Sequence, residues 1–197
     1  MLIVPQDTTG TRNISQLTDL AVSSAARPPV GPGGTTTQFS LTGVNNPGTY
    51  DLAKLQSLPA TTDHNVIFFS GNTPNGPNDF TGVKIWTLLT DTGLTSQILT
   101  SYLLITGSDG YQVLFALGEL DPAFGAPDDL IAYFETPTSI DPSGFARAVL
   151  PTDSRGGRYV SNIASIQLAS SIPEPATWML LAAGLVMLGF RRVARDT

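Results

Sequence analysis

The sequence predicts an α+β domain built mainly on a mixed β-sheet with short helices, followed by a single C-terminal transmembrane helix. Three observations carry this. The 197-residue chain has 19 glycines, 15 prolines and only 13% charged residues, a composition that favours short strands and many turns. Its apolar residues fall in brief runs, several alternating with polar ones, separated by Gly, Asn, Asp and Pro. The chain closes on 15 uncharged residues, Ala176 to Phe190, followed at once by Arg191, Arg192 and Arg195.

Residues 1–37 read as a leader and flexible linker, because the Pro-, Gly- and Thr-rich stretch 27–37 has nothing with which to build a core. The folded domain is expected over 38–168. Its first strand is the alternating run Gln38–Val44, and Asn45–Gly48 then makes a turn. A helix is predicted over Thr49–Pro59, with Leu52, Leu55 and Leu58 on one face and a proline stop. Asn65–Ser70 reads as a strand buried on both faces, and Gly71–Asp79 as a loop. Phe80–Thr90 leads into a second helix that Asp91-Thr92-Gly93 ends, with Trp86 as a core residue.

Tyr102–Gly107 and Tyr111–Ala116 form a hairpin around Ser108-Asp109-Gly110, since Asp-Gly between apolar runs is a hairpin signal. Leu130–Phe134 is a buried strand, Phe145–Pro151 an alternating one, and Gly157–Leu168 the last. The order of elements fits an α+β or mixed-sheet domain rather than a doubly wound one. Residues 169–175 are a linker ending in Pro173-Glu174-Pro175, 176–190 the membrane helix and 191–197 a basic tail.

As a helix, 15 residues span about 22 Å, short of a hydrocarbon core of about 30 Å. Snorkelling arginines and local thinning make up the difference. The segment is apolar all round, which sets it apart from a C-terminal helix packed on a soluble domain. The arginines place the C-terminus on the cytoplasmic side and everything before Pro173 on the other, with Trp178 as an interfacial anchor. An exported chain calls for a secretory leader. Met1–Asp7 has neither a basic region nor a full apolar core, so the expectation is a leader truncated or lost through a misassigned start, against the alternative of a cytoplasmic protein.

Charge and residue inventory exclude several classes. Net charge is −6 and three of ten basic residues lie in the tail, which argues against a nucleic-acid partner. With no cysteine there is no disulfide, thiolate metal site or cysteine nucleophile. His64 is the single histidine and reads as a loop residue, so neither a histidine triad nor a two-histidine metal site is available. Glu119, Asp121, Asp128 and Asp129 surround a Pro- and Gly-containing loop. They suggest a Ca²⁺ site or a glycosidase pair, against the plainer reading of solvated acidic residues.

The tail, with Pro173-Glu174-Pro175, a short apolar span and a terminal Arg191, Arg192 and Arg195 cluster, resembles the PEP-CTERM sorting signal of Gram-negative bacteria that make exopolysaccharide. The resemblance implies export, transient anchoring in the inner membrane, and cutting near Pro173–Pro175 by an exosortase-type membrane protease. The two prolines keep that motif out of the helix and accessible.

The middle, 38–168, is similar to the molybdopterin-binding domain of the sulfite-oxidase type. The blocks that carry this are the Thr-Gly-Val near its start, Phe80–Trp86, Gly107–Tyr111, Gly144–Pro151 and Gly156–Ile163, in that order. The resemblance implies a sulfite-oxidase-like mixed-sheet fold. It also implies a pterin or anion pocket lined by Arg147, Arg155, Gly156, Gly157 and Arg158, against the alternative of a simple turn in which Asp153 pairs with a neighbouring arginine. Active members bind molybdenum through a cysteine thiolate, where this chain has Phe69 or Ser70; neither replaces a soft thiolate. Molybdopterin is therefore not expected as a cofactor, and no metal is. The expectation is an exported, non-catalytic structural or binding protein of the cell surface or exopolysaccharide matrix. The alternative is a periplasmic pterin-binding oxidoreductase without the thiolate.

Overall fold

In the computed structural model the structure describes residues 31–94, 101–125, 127–137 and 145–170. Two sheets share one core. Their strands, in chain order, are β1 (Gln38–Thr42), β2 (Gly48–Asp51), β3 (Thr61–Ser70), β4 (Thr73–Lys84), β5 (Ser101–Gly107), β6 (Gln112–Ala116), β7 (Leu130–Thr136), β8 (Arg147–Val149) and β9 (Ile163–Ser170). Among the described residues three short α-helices accompany them: α1 (Leu52–Gln56), α2 (Ile85–Asp91) and α3 (Leu117–Leu120). The first sheet has the order β2-β1-β9-β5-β6 and is mixed, because β1 runs parallel to β9 while its other pairs are antiparallel. The second, β3-β4-β7-β8, is antiparallel throughout.

Period-two alternation sends one face of each strand inward. Phe39 and Leu41 of β1, Leu103 and Ile105 of β5, and Phe115 of β6 are buried, whereas Leu114 between its buried neighbours faces out. From the second sheet Phe80, Val83, Leu130, Ile131, Ala148 and Val149 complete the core. Gly43, with φ +77°, marks a close approach: a Cβ there would sit 1.7 Å from the carbonyl oxygen of Leu168.

Several expectations are corrected. Thr49 and Tyr50 belong to β2, where Tyr50 stacks on Phe39 at 5.6 Å, so the first helix starts only after Asp51. That carboxylate caps it, accepting from the Lys54 amide at 2.9 Å. Leu55 is buried but Leu52 is exposed, so the three leucines do not share an inward face. β3 is half-exposed rather than buried on both faces, with Val66 and Phe68 inward and Ile67 and Phe69 outward.

The stretch read as a loop, Gly71–Asp79, is mostly strand β4. Its ladder to β7 begins only at Asp79, so Pro74 and Pro77 lie where β4 pairs with β3 alone and a proline without an N–H is tolerated. The last strand starts at Ile163, after a 3-10 turn at Gly156–Arg158 and a break at Asn162, whose φ is +51°. Trp86 is partly buried against the core.

Residues 31–36, within the stretch read as linker, lie across the β5–β6 turn. The amides of Gly31 and Gly33 donate to the carbonyls of Asp109 and Ser108 at 2.8 and 3.0 Å, and Thr36 donates to Asn162 Oδ1 and, through its hydroxyl, to Phe145 O. Among the described residues no helix is long and apolar enough to cross a membrane. The predicted span 176–190 lies outside them.

Candidate functional site

The end of β3 is where the sulfite-oxidase resemblance puts a metal ligand. The Phe69 amide donates to Ser154 O at 3.0 Å, and Phe69 bridges to Arg155 in a parallel register. Arg155 reaches over the Phe69 ring, 5.7 Å from its centroid, and donates to the Gly71 carbonyl. Phe69, Asn72, Ser154 and Arg155 line a cavity of about 230 Å³. Ser70 is exposed and is not part of that lining. Gly156 is required behind it, since a Cβ would come 2.8 Å from the Phe68 ring, itself stacked on Tyr159 at 4.1 Å. Gly157 has open space around its Cα and offers its carbonyl to the Tyr111 hydroxyl at 2.5 Å.

The three predicted arginines do not line one pocket. Arg147 donates to Glu135 at 2.9 Å and to Ser161 at 3.0 Å, while Asn78 donates to the other Glu135 oxygen at 2.6 Å. That buried carboxylate is thereby satisfied on both oxygens. Arg158 binds Asp153 through two hydrogen bonds of 2.7 Å, reaches Glu119 at 3.0 Å, and covers the Phe115 ring at 5.2 Å. These partners raise its pKa further, Asp153 foremost. Arg155 alone lines the cavity at the end of β3.

The acidic loop residues disperse. Glu119 is held by Arg158, Asp121 caps the Ala123 amide at 2.8 Å, and Asp128 pairs with Lys84 at 2.7 Å. Among the described residues no three His, Cys, Asp or Glu side chains gather as a metal site. His64 lies within β3, not in a loop, and is exposed, with Nδ1 2.9 Å from Asp79. The Asn65 amide and His64 hold the Asp79 carboxyl below its usual range.

Two carboxylates stand out, Asp129 from the acidic loop and Asp63, which the sequence does not single out. Asp129 is buried with Oδ1 lacking a hydrogen-bond partner, and burial pushes its pKa up to about 7, aided by Glu119, Asp153 and Asp63 and opposed by Arg158. Asp63 likewise has an unpartnered Oδ2 and rises to about 6, through burial first and Asp128 second.

A larger cavity, about 490 Å³, lies at the other side of the 3-10 turn. The strap residues Gly34 and Thr35 form one wall, the turn residues Ser108, Asp109 and Tyr111 a second, and Tyr159–Asn162 the floor. The sequence offers one signal for it, the glycine cluster at 31–34, which reads equally well as a linker.

The two sheets and short helices make a β-rich fold in which the end of β3 carries Phe69 and Ser70, neither a soft donor, where the sequence resemblance puts a metal ligand. The fold is similar to that of the sulfane dehydrogenase SoxCD of Paracoccus pantotrophus, with a TM-score of 0.51 and 16% identity, covering 71% of this chain and 39% of that one. This chain therefore spans about two fifths of that chain's length. No curated protein matches the sequence. Residues 171–193 match the PEP-CTERM protein-sorting motif, so the chain carries that signal, including Pro173, Glu174, Pro175, Arg191 and Arg192. These residues and Arg195 lie outside the described ones.

The donor set at the end of β3 does not fit a thiolate-held molybdenum cofactor. There is no cysteine in the sequence, and 230 Å³ falls below the roughly 300 Å³ at which cofactor pockets begin.

Proposed function

We propose that the protein is an exported, non-catalytic structural or binding protein of the cell surface or exopolysaccharide matrix. The single observation that supports this most is the sorting motif at 171–193. In this reading the apolar residues 176–190 hold the chain briefly in the inner membrane, with Arg191, Arg192 and Arg195 on the cytoplasmic side. An exosortase-type protease cuts near Pro173–Pro175, and the folded domain passes to the surface. What supports a non-catalytic role is the chemistry of the domain: no cysteine, one exposed histidine engaged with Asp79, and two arginines of the expected pocket engaged with carboxylates. The oxidoreductase alternative requires a pterin to bind without its thiolate, in a cavity of about 230 Å³, and is the weaker reading.

Fractionation of cells that make a copy tagged after Thr197 tests this. The expected result is a domain in the envelope or medium without the tag. Tagged protein of full length in the cytoplasm contradicts it.

A further inference from the structure

We propose that the cavity beneath the 31–36 strap is a binding site for a neutral saccharide. This deepens the binding role just described and rests on it, but locates the ligand away from the Arg155 cavity. The volume, about 490 Å³, accommodates one or two sugar rings. The chemistry of its walls selects among ligands. No Lys or Arg lines it and Asp109 does, so an anion finds no counter-charge there. Arg147, which donates to the Ser161 hydroxyl, is not a lining residue and is held by Glu135. An apolar ligand is equally poorly served, because the walls are mainly hydroxyl, amide, carboxylate and backbone groups.

A sugar ring presents an apolar C–H face and a rim of hydroxyls, and the cavity answers both. Tyr111 is 48% exposed, and its hydroxyl is spent on Gly157 O, which fixes the ring as a rigid platform for the C–H face. Asp109 uses Oδ1 to accept from the Tyr111 amide at 2.9 Å, and its Oδ2 has no hydrogen bond among the described residues. Asn162 uses Oδ1 to accept from the Thr36 amide, which leaves its NH₂ as a donor. A free carboxylate oxygen and an amide NH₂ are the acceptor and donor that a pair of neighbouring sugar hydroxyls requires.

The strap supplies the remaining wall. Gly31 is seated so closely on the β5–β6 turn that a Cβ would lie 2.2 Å from Ser108 O. The site is therefore complete only with residues 31–36 docked.

The test is calorimetric titration of the full-length protein, in a zwitterionic detergent free of sugar, with maltohexaose, cellohexaose and mannohexaose. At least one is expected to bind, with affinity falling at least about tenfold (1.4 kcal/mol) in Tyr111→Ala. Asp109→Asn, which keeps the acceptor for the Tyr111 amide, should weaken binding about three- to tenfold. Gly31→Ala should do so through the strap without disturbing the sheets, which circular dichroism checks and which carries the test should Tyr111→Ala not fold. Arg155→Ala should bind as the parent does. Absence of binding to all three probes overturns the proposal, as does binding that survives the cavity variants or is lost in Arg155→Ala. None of these outcomes touches the sorting of the tail, which the tag experiment reads separately.

Discussion

Arg158 and Asp153 are joined by two hydrogen bonds of 2.7 Å, Nε to Oδ2 and Nη2 to Oδ1. This bidentate pair, extended to Glu119, ties the 3-10 turn at Gly156–Arg158 to α3 and takes the arginine out of any ligand pocket. Removing the guanidinium strands two partly buried carboxylates. Arg158→Met is expected to lose about 1–3 kcal/mol in urea unfolding, whereas Arg155→Ala changes stability by less than about 0.5 kcal/mol. Equal effects would show that the two arginines are not divided between fold and surface as described.

Stability should fall as pH rises. Asp129, at about 7, and Asp63, at about 6, both lie above the range of an unfolded aspartate. The folded state therefore holds more protons than the unfolded one between about pH 4 and 7, and loses that advantage as pH rises through the folded values. Urea unfolding at pH 5 and 8 should show a loss on the order of 2 kcal/mol. Asp129→Asn, neutral at every pH, should remove most of it. A parent protein more stable at pH 8 than at pH 5 contradicts the assignment.

Gly82 has no room for a side chain. A Cβ would lie 2.3 Å from Ile131 O and 2.5 Å from the Ala132 Cα, at the register shift where β4 crosses β7. Gly82→Ala should cost about 2–4 kcal/mol and lower Tm by about 5–15 °C in a scan of thermal unfolding. Gly71→Ala, which meets nothing but has φ +59°, should cost about 1 kcal/mol.

A cysteine alone should not restore metal binding. Ser70→Cys supplies the missing sulfur outside a cavity of about 230 Å³, and Phe69→Cys supplies it in the lining at the expense of one ring, with Arg155 present in both. Elemental analysis of both variants, made in cells that synthesise the cofactor, should find molybdenum far below one atom per chain. Stoichiometric metal in either would revive the oxidoreductase reading.

Sequence reasoning reached what local chemistry determines. The Ser108-Asp109-Gly110 hairpin, the Asp91-Thr92-Gly93 helix stop and the alternation of β1 are all set by adjacent residues, and all are present. It missed what tertiary context decides. Thr73–Asn78 is rich in turn formers, yet β3 recruits it as a strand because its prolines fall where no second neighbour needs an N–H. The glycines at 31–34 suggest a linker in isolation and become a strap only when the β5–β6 turn offers its carbonyls. The arginines 147, 155 and 158 share sequence blocks, but Glu135 and Glu119, which claim Arg147 and help claim Arg158, come from elsewhere in the fold. The pairing of Asp153 with Arg158, five residues on, is instead the local turn contact that the sequence offered as the alternative to a pocket. The burial that raises Asp63 and Asp129 is set by packing between segments far apart in sequence, which no local pattern reports.

The intact mass of the mature protein tests the central claim most directly. If the tail is a sorting signal that is cut, the species recovered from the envelope or medium ends near Pro173–Pro175 and lacks Arg191, Arg192 and Arg195. A cell-associated species of full length, still ending in Asp196-Thr197, would contradict it.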